Sequence, residues 1–255
     1  MARPQRIDLA LVAAGLARSR DEAQALIADD RVTVNGAPVM NIARQVTDRD
    51  QLAVVALERF VSRGGLKLDA ALEHFVREGT EVPVRGSRVL DAGASTGGFV
   101  DCLLQRGASR VVACDVGNGL LHRKIATDPR VDVRDGVNAR DIESLISQGA
   151  LVGDFDLVVA DLSFISLRTV MRSLMSAVRL GGEMLLLVKP QFEAAKHEVD
   201  RGGGVIRDPD VRRRCIDEVA QAIREIGGEV VGEVESAVPG PAGNREHWLR
   251  AHRRR

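Results

Sequence analysis

The sequence predicts an α/β protein: a doubly wound, mostly parallel sheet preceded by a small α+β unit. Three patterns carry that prediction. From residue 86 onward, short apolar strands alternate with helical stretches, the rhythm of a sheet covered by helices on both faces. A glycine-rich turn follows the first of these strands at once, in Asp91-Ala92-Gly93-Ala94-Ser95-Thr96-Gly97-Gly98-Phe99. Residues 1–55 follow a different rhythm, two short helical stretches and then a hairpin.

The N-terminal unit, residues 1–58, opens with Ile7, Leu9, Leu11 and Val12 in a helical stretch that stops at Gly15-Leu16-Ala17-Arg18. Ser19, with Glu22 three residues on, reads as a capping box opening a helix over Arg20–Asp29. Val32-Thr33-Val34, the turn Asn35-Gly36 and Ala37-Pro38-Val39 then spell a hairpin, and a strand over Gln51–Val55 closes the unit. Residues 59–67 read as a linker, in which Ser62-Arg63-Gly64-Gly65 is a flexible basic turn leading into a helix over Leu66–Arg77. In the remainder, residues 68–255, strands are expected at 88–91, 110–115, 130–133, 156–161 and 184–190. A last pair at Glu229–Ser236 and Arg245–His252 would form an antiparallel hairpin at one edge. Five parallel strands plus such a hairpin make a seven-stranded sheet, the Rossmann-like plan of class I methyltransferases.

Composition narrows the function. Lys+Arg and Asp+Glu both number 36, so any RNA-binding surface is a local patch rather than a global charge. Aromatic residues make up only 3%, which argues against a stacking platform as the main mode of nucleic-acid binding. The three cysteines, Cys102, Cys114 and Cys215, are widely spaced among apolar neighbours with no C-x-x-C. Buried thiols are therefore expected, with neither a disulfide nor a metal site. Met-Ala-Arg-Pro-Gln-Arg lacks the apolar core of a signal peptide, and the apolar run near Met184–Val188 is too short to span a bilayer. A cytoplasmic protein with no membrane partner is expected, and nothing in the sequence calls for more than a monomer.

Four positions carry the chemistry. The Asp91–Phe99 loop has neither the G-x-G-x-x-G of a dinucleotide site nor the Lys-Ser/Thr of a P-loop. Its Gly93, Gly97 and Gly98 let a ligand come close to backbone, and Ser95 and Phe99 flank them. An acid, Asp91, before the first glycine and no lysine after it suits a nucleoside-like ligand without phosphate, such as S-adenosyl-L-methionine. Asp115, 24 positions later, ends an apolar strand where such folds place an acid on ribose hydroxyls. Asp135 and Asn138, after the third strand, are candidates for the adenine edge. Asp161, at the end of Asp156-Leu157-Val158-Val159-Ala160, and Lys189, closing Met184–Val188, leave neighbouring strand ends beside the expected methyl group. Methyl transfer to a hydroxyl needs in-line geometry and a way to handle the hydroxyl proton, and an aspartate–lysine pair provides one. The lysine either takes the proton when neutral or stabilises the developing alkoxide when charged.

With these residues in place the chain resembles the TlyA family of ribosomal RNA ribose 2′-O-methyltransferases, long called haemolysins, within the wider FtsJ/RrmJ-type enzymes. The resemblance covers nearly the whole chain and is carried by an ordered set of motifs. These are the S4-like head, Val61-Ser-Arg-Gly-Gly-Leu-Lys-Leu, the Asp91–Phe99 loop, Asp161-Leu-Ser-Phe-Ile-Ser, Lys189-Pro-Gln-Phe-Glu, Gly203-Gly-Val-Ile-Arg-Asp-Pro and Gly243-Asn-Arg-Glu. Phe60 stands where the family pattern has tyrosine. The resemblance implies a Lys67, Asp161, Lys189 and Glu246 tetrad, with Lys189 activating the 2′-hydroxyl, Asp161 orienting it, and Lys67 and Glu246 positioning the ribose. It implies an S4-like head that binds ribosomal RNA through Arg3, Arg6, Arg18, Arg20, Arg31 and Arg44, joined by Arg63 in the linker. The target it implies is a cytidine of 23S and also, in some members, 16S RNA, on the ribosomal subunits. Two rival classes make different demands. A membrane-lytic protein needs a long apolar or amphipathic segment, and a non-catalytic RNA-binding factor needs no Lys189 or Asp161. Base methylation usually places Asn/Asp-Pro-Pro-Tyr/Phe or a catalytic cysteine after the fourth strand, where this chain has Asp161-Leu-Ser-Phe.

Overall fold

The computed structural model describes residues 4–28, 31–39, 41–55 and 59–254. The chain divides into two compact units, residues 1–58 and 59–255.

The first unit contains β1 (Gln5–Arg6), α1 (Ile7–Ala13), α2 (Arg20–Ala28), β2 (Val32–Val34), β3 (Ala37–Pro38), β4 (Gln45–Val46) and β5 (Leu52–Val54). β3, β2 and β5 form an antiparallel sheet, and β1 pairs with β4 in a separate ribbon. The hairpin turn is set by Asn35 and Gly36, both at positive φ (54° and 80°), the backbone that a two-residue turn of this hand requires. Ile7, Leu11, Ala23, Ile27, Val32 and Val34 make the small core. Ser19 Oγ accepts the Glu22 N–H as expected, but Glu22 reaches the N–H of Arg18 rather than that of Ser19, so only half of the capping box forms. α2 is described over Arg20–Ala28, and the expected last residue, Asp29, lies outside the described residues. The β1–β4 ribbon has no signal in the sequence, because two-residue strands are too short to show a period.

The second unit holds α3 (Arg63–Arg77), β6 (Arg88–Ala92), α4 (Gly98–Gln105), β7 (Arg110–Asp115), α5 (Arg123–Ala126), β8 (Val131–Asp135), α6 (Ile142–Ser147), β9 (Phe155–Ala160) and α7 (Leu167–Ala177). It continues through β10 (Val178–Val188), α8 (Pro190–Glu193), α9 (Lys196–Arg201), α10 (Pro209–Glu225), β11 (Gly228–Glu235) and β12 (His247–Arg253). The seven strands lie in the order β11-β12-β10-β9-β6-β7-β8, with β12 antiparallel to both its neighbours and the rest parallel. Both faces are buried, so alternate residues of one strand serve two cores: Val89, Leu157, Val159, Leu185 and Leu187 on one side, Leu90, Val158, Ala160, Met184 and Leu186 on the other. The chain runs outward from β6 through β7 to β8 and then returns to β9 on the other side of β6. That reversal of strand order opens a crevice at the carboxyl ends of β6 and β9.

Most strand ends shift by one or two residues from expectation, and β10 begins at Val178, well before the expected residue 184. Two of the differences have a plain physical reason. β10 stops at Val188, not at residue 190, because Pro190 occupies the first turn of α8, where a missing N–H costs nothing. The basic turn at residues 62–65 is not flexible: α3 already starts at Arg63. Its glycines serve close packing. A Cβ on Gly65 would lie 2.4 Å from the Phe60 side chain, and one on Gly98 would lie 2.3 Å from Ser62 Oγ and 2.7 Å from the Gly65 nitrogen. Gly98→Ala is accordingly expected to cost about 1–3 kcal/mol through overpacking between α3 and α4, read as a lower midpoint in urea unfolding. The three cysteines are buried and free, with burial pushing the Cys102 and Cys114 thiols up to about 12, so they behave as apolar filler.

Candidate active site

The glycine-rich loop leaves β6 through backbone that only glycine adopts easily. Gly93 has φ +89°, and a Cβ there would lie 2.6 Å from the Asp161 carbonyl oxygen, so the ends of β6 and β9 meet over a bare backbone. Gly97, at φ +92°, forms the N-terminal cap of α4. Asp115 closes the loop from β7, accepting the N–H groups of Ser95 and Gly117, each at 2.8 Å. Between them lies a cleft of about 390 Å³, walled by Gly93, Ser95, Asp115, Asn138, Asp161 and Phe164. This is ample for a nucleoside-sized molecule.

Asp91 lies behind this wall, fully buried, with neither carboxylate oxygen hydrogen-bonded. Burial, and then the negative Asp161 and Asp115 nearby, raises its pKa well above the usual carboxylate range. Four other candidate cofactor residues do not line the cleft. Gly97 and Gly98 turn the chain and pack closely, Gly98 against α3, and the Phe99 ring is buried against Trp248, 5.5 Å between centroids. Asp135 is exposed and accepts the Gly119 N–H, holding the loop after β7 instead of lining the cavity. Asn138 lines it while capping the 3-10 turn Ala139–Asp141.

The four tetrad residues form two ion pairs at one end of the sheet. Lys189 Nζ lies 2.5 Å from Asp161 Oδ1, off the line of a hydrogen bond, and donates to Ser163 Oγ at 3.1 Å. Lys67 Nζ donates to Glu246 Oε2 at 2.6 Å, with both side chains buried. The strand register explains their neighbourhood. Val188 of β10 sits opposite His247 of β12, so Lys189 and Glu246 leave adjacent strands at the same edge. Asp161 follows Ala160, the partner of Leu186. Lys67 is brought in by α3 from far upstream. Removing one partner of a buried pair leaves the other charge uncompensated. Lys67→Met should therefore cost about 3–5 kcal/mol, and adding Glu246→Gln should restore part of it, both read by denaturant unfolding.

Several functional candidates are not visible as such in the sequence. Phe164 carries a positive φ of 64° and is 92% exposed, its ring 5.3 Å from that of Phe192, over which Lys189 Nζ lies at 5.8 Å. A bulky residue in left-handed backbone is strained, and no sequence pattern announces it. Ser163 and Arg140 also reach the site.

The arginines expected to meet RNA are distributed unevenly. Arg6 and Arg20 both bind the buried Asp8, whose carboxyl is held far below the usual range by the Arg6 hydrogen bond first, against its own burial. Arg18 is exposed yet engaged by Glu22, and Arg31 donates to the Val55 carbonyl. Arg44 is partly exposed, and Arg63 is exposed and donates to the Pro239 carbonyl. Arg3 lies outside the described residues. Among the described residues no group of three or more His, Cys, Asp or Glu is placed to hold a metal, and no helix is long and apolar enough to cross a membrane.

A family model described as FtsJ-like methyltransferase matches residues 60–253, and one described as S4 domain matches residues 5–52. The 16S/23S rRNA (cytidine-2′-O)-methyltransferase TlyA of Mycobacterium tuberculosis is 47% identical over 254 residues, 98% of this chain and 91% of that protein. Hemolysin A of Brachyspira hyodysenteriae is 36% identical over 242 residues, 95% of this chain and 97% of its own. A solved structure from Streptococcus thermophilus, described as a hemolysin, superposes with a TM-score of 0.71 at 31% identity, covering 100% of this chain and 90% of the other. The alternation of strands, the glycine-rich loop and the two ion pairs thus have a common explanation: the chain belongs to the TlyA family of FtsJ-like methyltransferases that carry an S4 domain.

Proposed function

We propose that this protein is an S-adenosylmethionine-dependent methyltransferase acting on the ribose 2′-hydroxyl of a cytidine in ribosomal RNA. The observation that carries this reading is the Lys189–Asp161 pair at the strand ends, of which Asp161 lines the same cleft as the glycine-rich loop and Lys189 stands just outside it. The residues present fit the cofactor. Asp91 offers a buried carboxylate without a partner beside a cleft floored by bare glycine backbone, and Asp115 closes the far side. Gly93 and Ser95 would hold the methionine end and Asp115 and Asn138 the nucleoside end. When bound, S-adenosylmethionine supplies an electrophilic methyl group on sulfur.

The protein's own part is to present the acceptor. Asp161 fixes the direction of Lys189 Nζ. The lysine then either takes the 2′-hydroxyl proton when neutral, or, when charged, stabilises the negative charge developing on the 2′-oxygen while the proton passes to water. Lys67 and Glu246 form the buried wall that positions the ribose. The exposed Phe164 ring at the lip offers an apolar face to the base of the target nucleotide.

Ribosomal RNA and the ribosomal subunits are the proposed partners, in the cytoplasm, with the first unit supplying affinity through its arginines. An RNA phosphate there competes with Glu22 for Arg18. The strap at residues 59–62 supports a coupling of docking to the cofactor site. Val61 N–H binds Asp101 of α4, and Ser62 abuts Gly98, so a shift of the strap displaces the start of α4.

The test is transfer of tritiated methyl groups to separated ribosomal subunits from cells lacking the enzyme, followed by mapping of 2′-O-methylation. Label on a cytidine ribose is expected. No label on either subunit, or label on a base, would overturn the reading.

A further inference from the structure

Asp161 and Lys189 leave different strands and open different loops. The pairing of β9 with β10 fixes where the two loops begin, but not how they stand relative to each other beyond the strand ends. The loop from Asp161 runs through Phe164, at positive φ, to Ser166, which caps α7. The loop from Lys189 makes the single turn of α8 and ends at Glu193. One side chain joins them. The Glu193 carboxylate is 1% exposed and accepts from three successive residues at the start of α7. Oε1 takes the backbone N–H of Leu167 at 2.7 Å, while Oε2 takes the Ser166 hydroxyl at 2.5 Å and Arg168 Nε at 3.2 Å. Arg168 then returns to the Glu193 carbonyl through Nη2 at 2.8 Å, and to Glu218 of α10 through Nη1 at 2.6 Å.

This is more than a buried acid with partners. The Leu167 amide is one of the donors a helix leaves unpaired at its N-terminus, and a carboxylate there also meets the positive end of the helix dipole. Two charge-assisted contacts and one amide contact in a water-poor site make a stiff joint. The joint spans six residues, Asp161 to Ser166, on one side and five, Lys189 to Glu193, on the other. It therefore closes a small ring, of which the Lys189–Asp161 contact is the opposite side.

We propose that Glu193 is a positioning residue for methyl transfer. Through Ser166, Leu167 and Arg168 it holds the Asp161 and Lys189 loops in register, and so sets the contact between the two catalytic side chains. The Phe164–Phe192 ring pair, which bridges the same two loops at 5.3 Å, is held by the same joint. The inference rests on the reading of Lys189 and Asp161 as the catalytic pair.

The test uses the full-length enzyme with ribosomal subunits as acceptor. Glu193→Ala is expected to lower kcat about 10–100-fold, the scale of a misplacement of roughly 1 Å, with KM for the subunit and Kd for S-adenosylmethionine nearly unchanged. Glu193→Gln keeps an acceptor for Leu167 N–H but loses the pairing with Arg168, and should fall between Ala and the parent. A role in stability alone would also lower yield and activity, so a double-mutant cycle with Asp161→Asn separates the two. If Glu193 acts through Asp161, the double variant is no slower than Asp161→Asn alone. Losses in kcat that multiply, or a folded Glu193→Ala with parental kcat beside an inactive Asp161→Asn, would overturn the proposal. If Glu193→Ala does not fold, the same cycle with Glu193→Gln decides. A fully active Asp161→Asn would instead overturn the catalytic pair, and this inference with it.

Discussion

Lys189→Ala is expected to abolish methyl transfer while leaving the cofactor site intact. The lysine ammonium touches Asp161 and Ser163, and it does not line the cleft formed by Gly93, Ser95, Asp115 and Asn138. Loss of a group that stabilises charge or manages a proton in the transition state costs about 10²–10⁴-fold in rate. Dissociation of S-adenosylmethionine, measured by calorimetry, should change by no more than about threefold, a difference under 1 kcal/mol. Single-turnover methylation of ribosomal subunits gives the rate. A variant that keeps its rate would remove Lys189 from the chemistry, whereas one that loses rate and cofactor together would place it in the binding site. Lys189→Arg is not a rescue, because a planar guanidinium cannot take the place of a point charge beside a single carboxylate oxygen.

Asp91→Asn should make the free enzyme more stable and the enzyme–cofactor complex weaker. Asp91 is fully buried with no hydrogen-bond partner, and its raised pKa means that the fold disfavours its charge. A carboxyl whose pKa rises on folding costs stability above its unfolded value near 3.8, and that cost fades as pH falls toward that value. The asparagine variant should therefore gain about 1–3 kcal/mol at neutral pH, several degrees in melting temperature for a domain of this size. The advantage should shrink on acidification to about pH 4. Cofactor affinity should fall, because the variant no longer offers a carboxylate to a cationic ligand. Equal stability of the two proteins at pH 7 would show that Asp91 already has a partner in solution, and unchanged affinity would remove it from the cofactor site.

These two residues show how differently parts of the site can be read. Asp91, Asp115, Asp161 and Lys189 each end an apolar strand, so a local pattern suffices to place them at the rim of the sheet. Lys67 and Glu246 have no such signal. Their pairing depends on α3 crossing to β12, a contact between residues 179 positions apart that no local period encodes. The loop glycines are recognisable in sequence, but their division of labour is not. Gly93 clears space for the Asp161 backbone, whereas Gly98 clears space for α3, and both are simply glycines after a strand end when read along the chain. Asp135 and Phe99 read as cofactor ligands because they flank the right motifs. The fold turns one to the Gly119 amide and the other into the core.

The arginines of the first unit show the same limit. Composition supplies a basic set on a small helical unit, but Asp8 lies between Arg6 and Arg20, and Glu22 engages Arg18. Whether a charge faces solvent or a buried partner depends on distances across the fold.

Sequence alone determined the alternation of strands and helices after residue 86, the N-terminal hairpin, the glycine-rich loop and the family, because these rest on periodicity, turn chemistry and motifs within short spans. Tertiary structure decided which side chains share a site. The Lys67–Glu246 pair, the Glu193 joint and the isolated Asp91 carboxylate are products of packing. Burial strips water from these groups, and only the neighbours that the fold brings close can replace it.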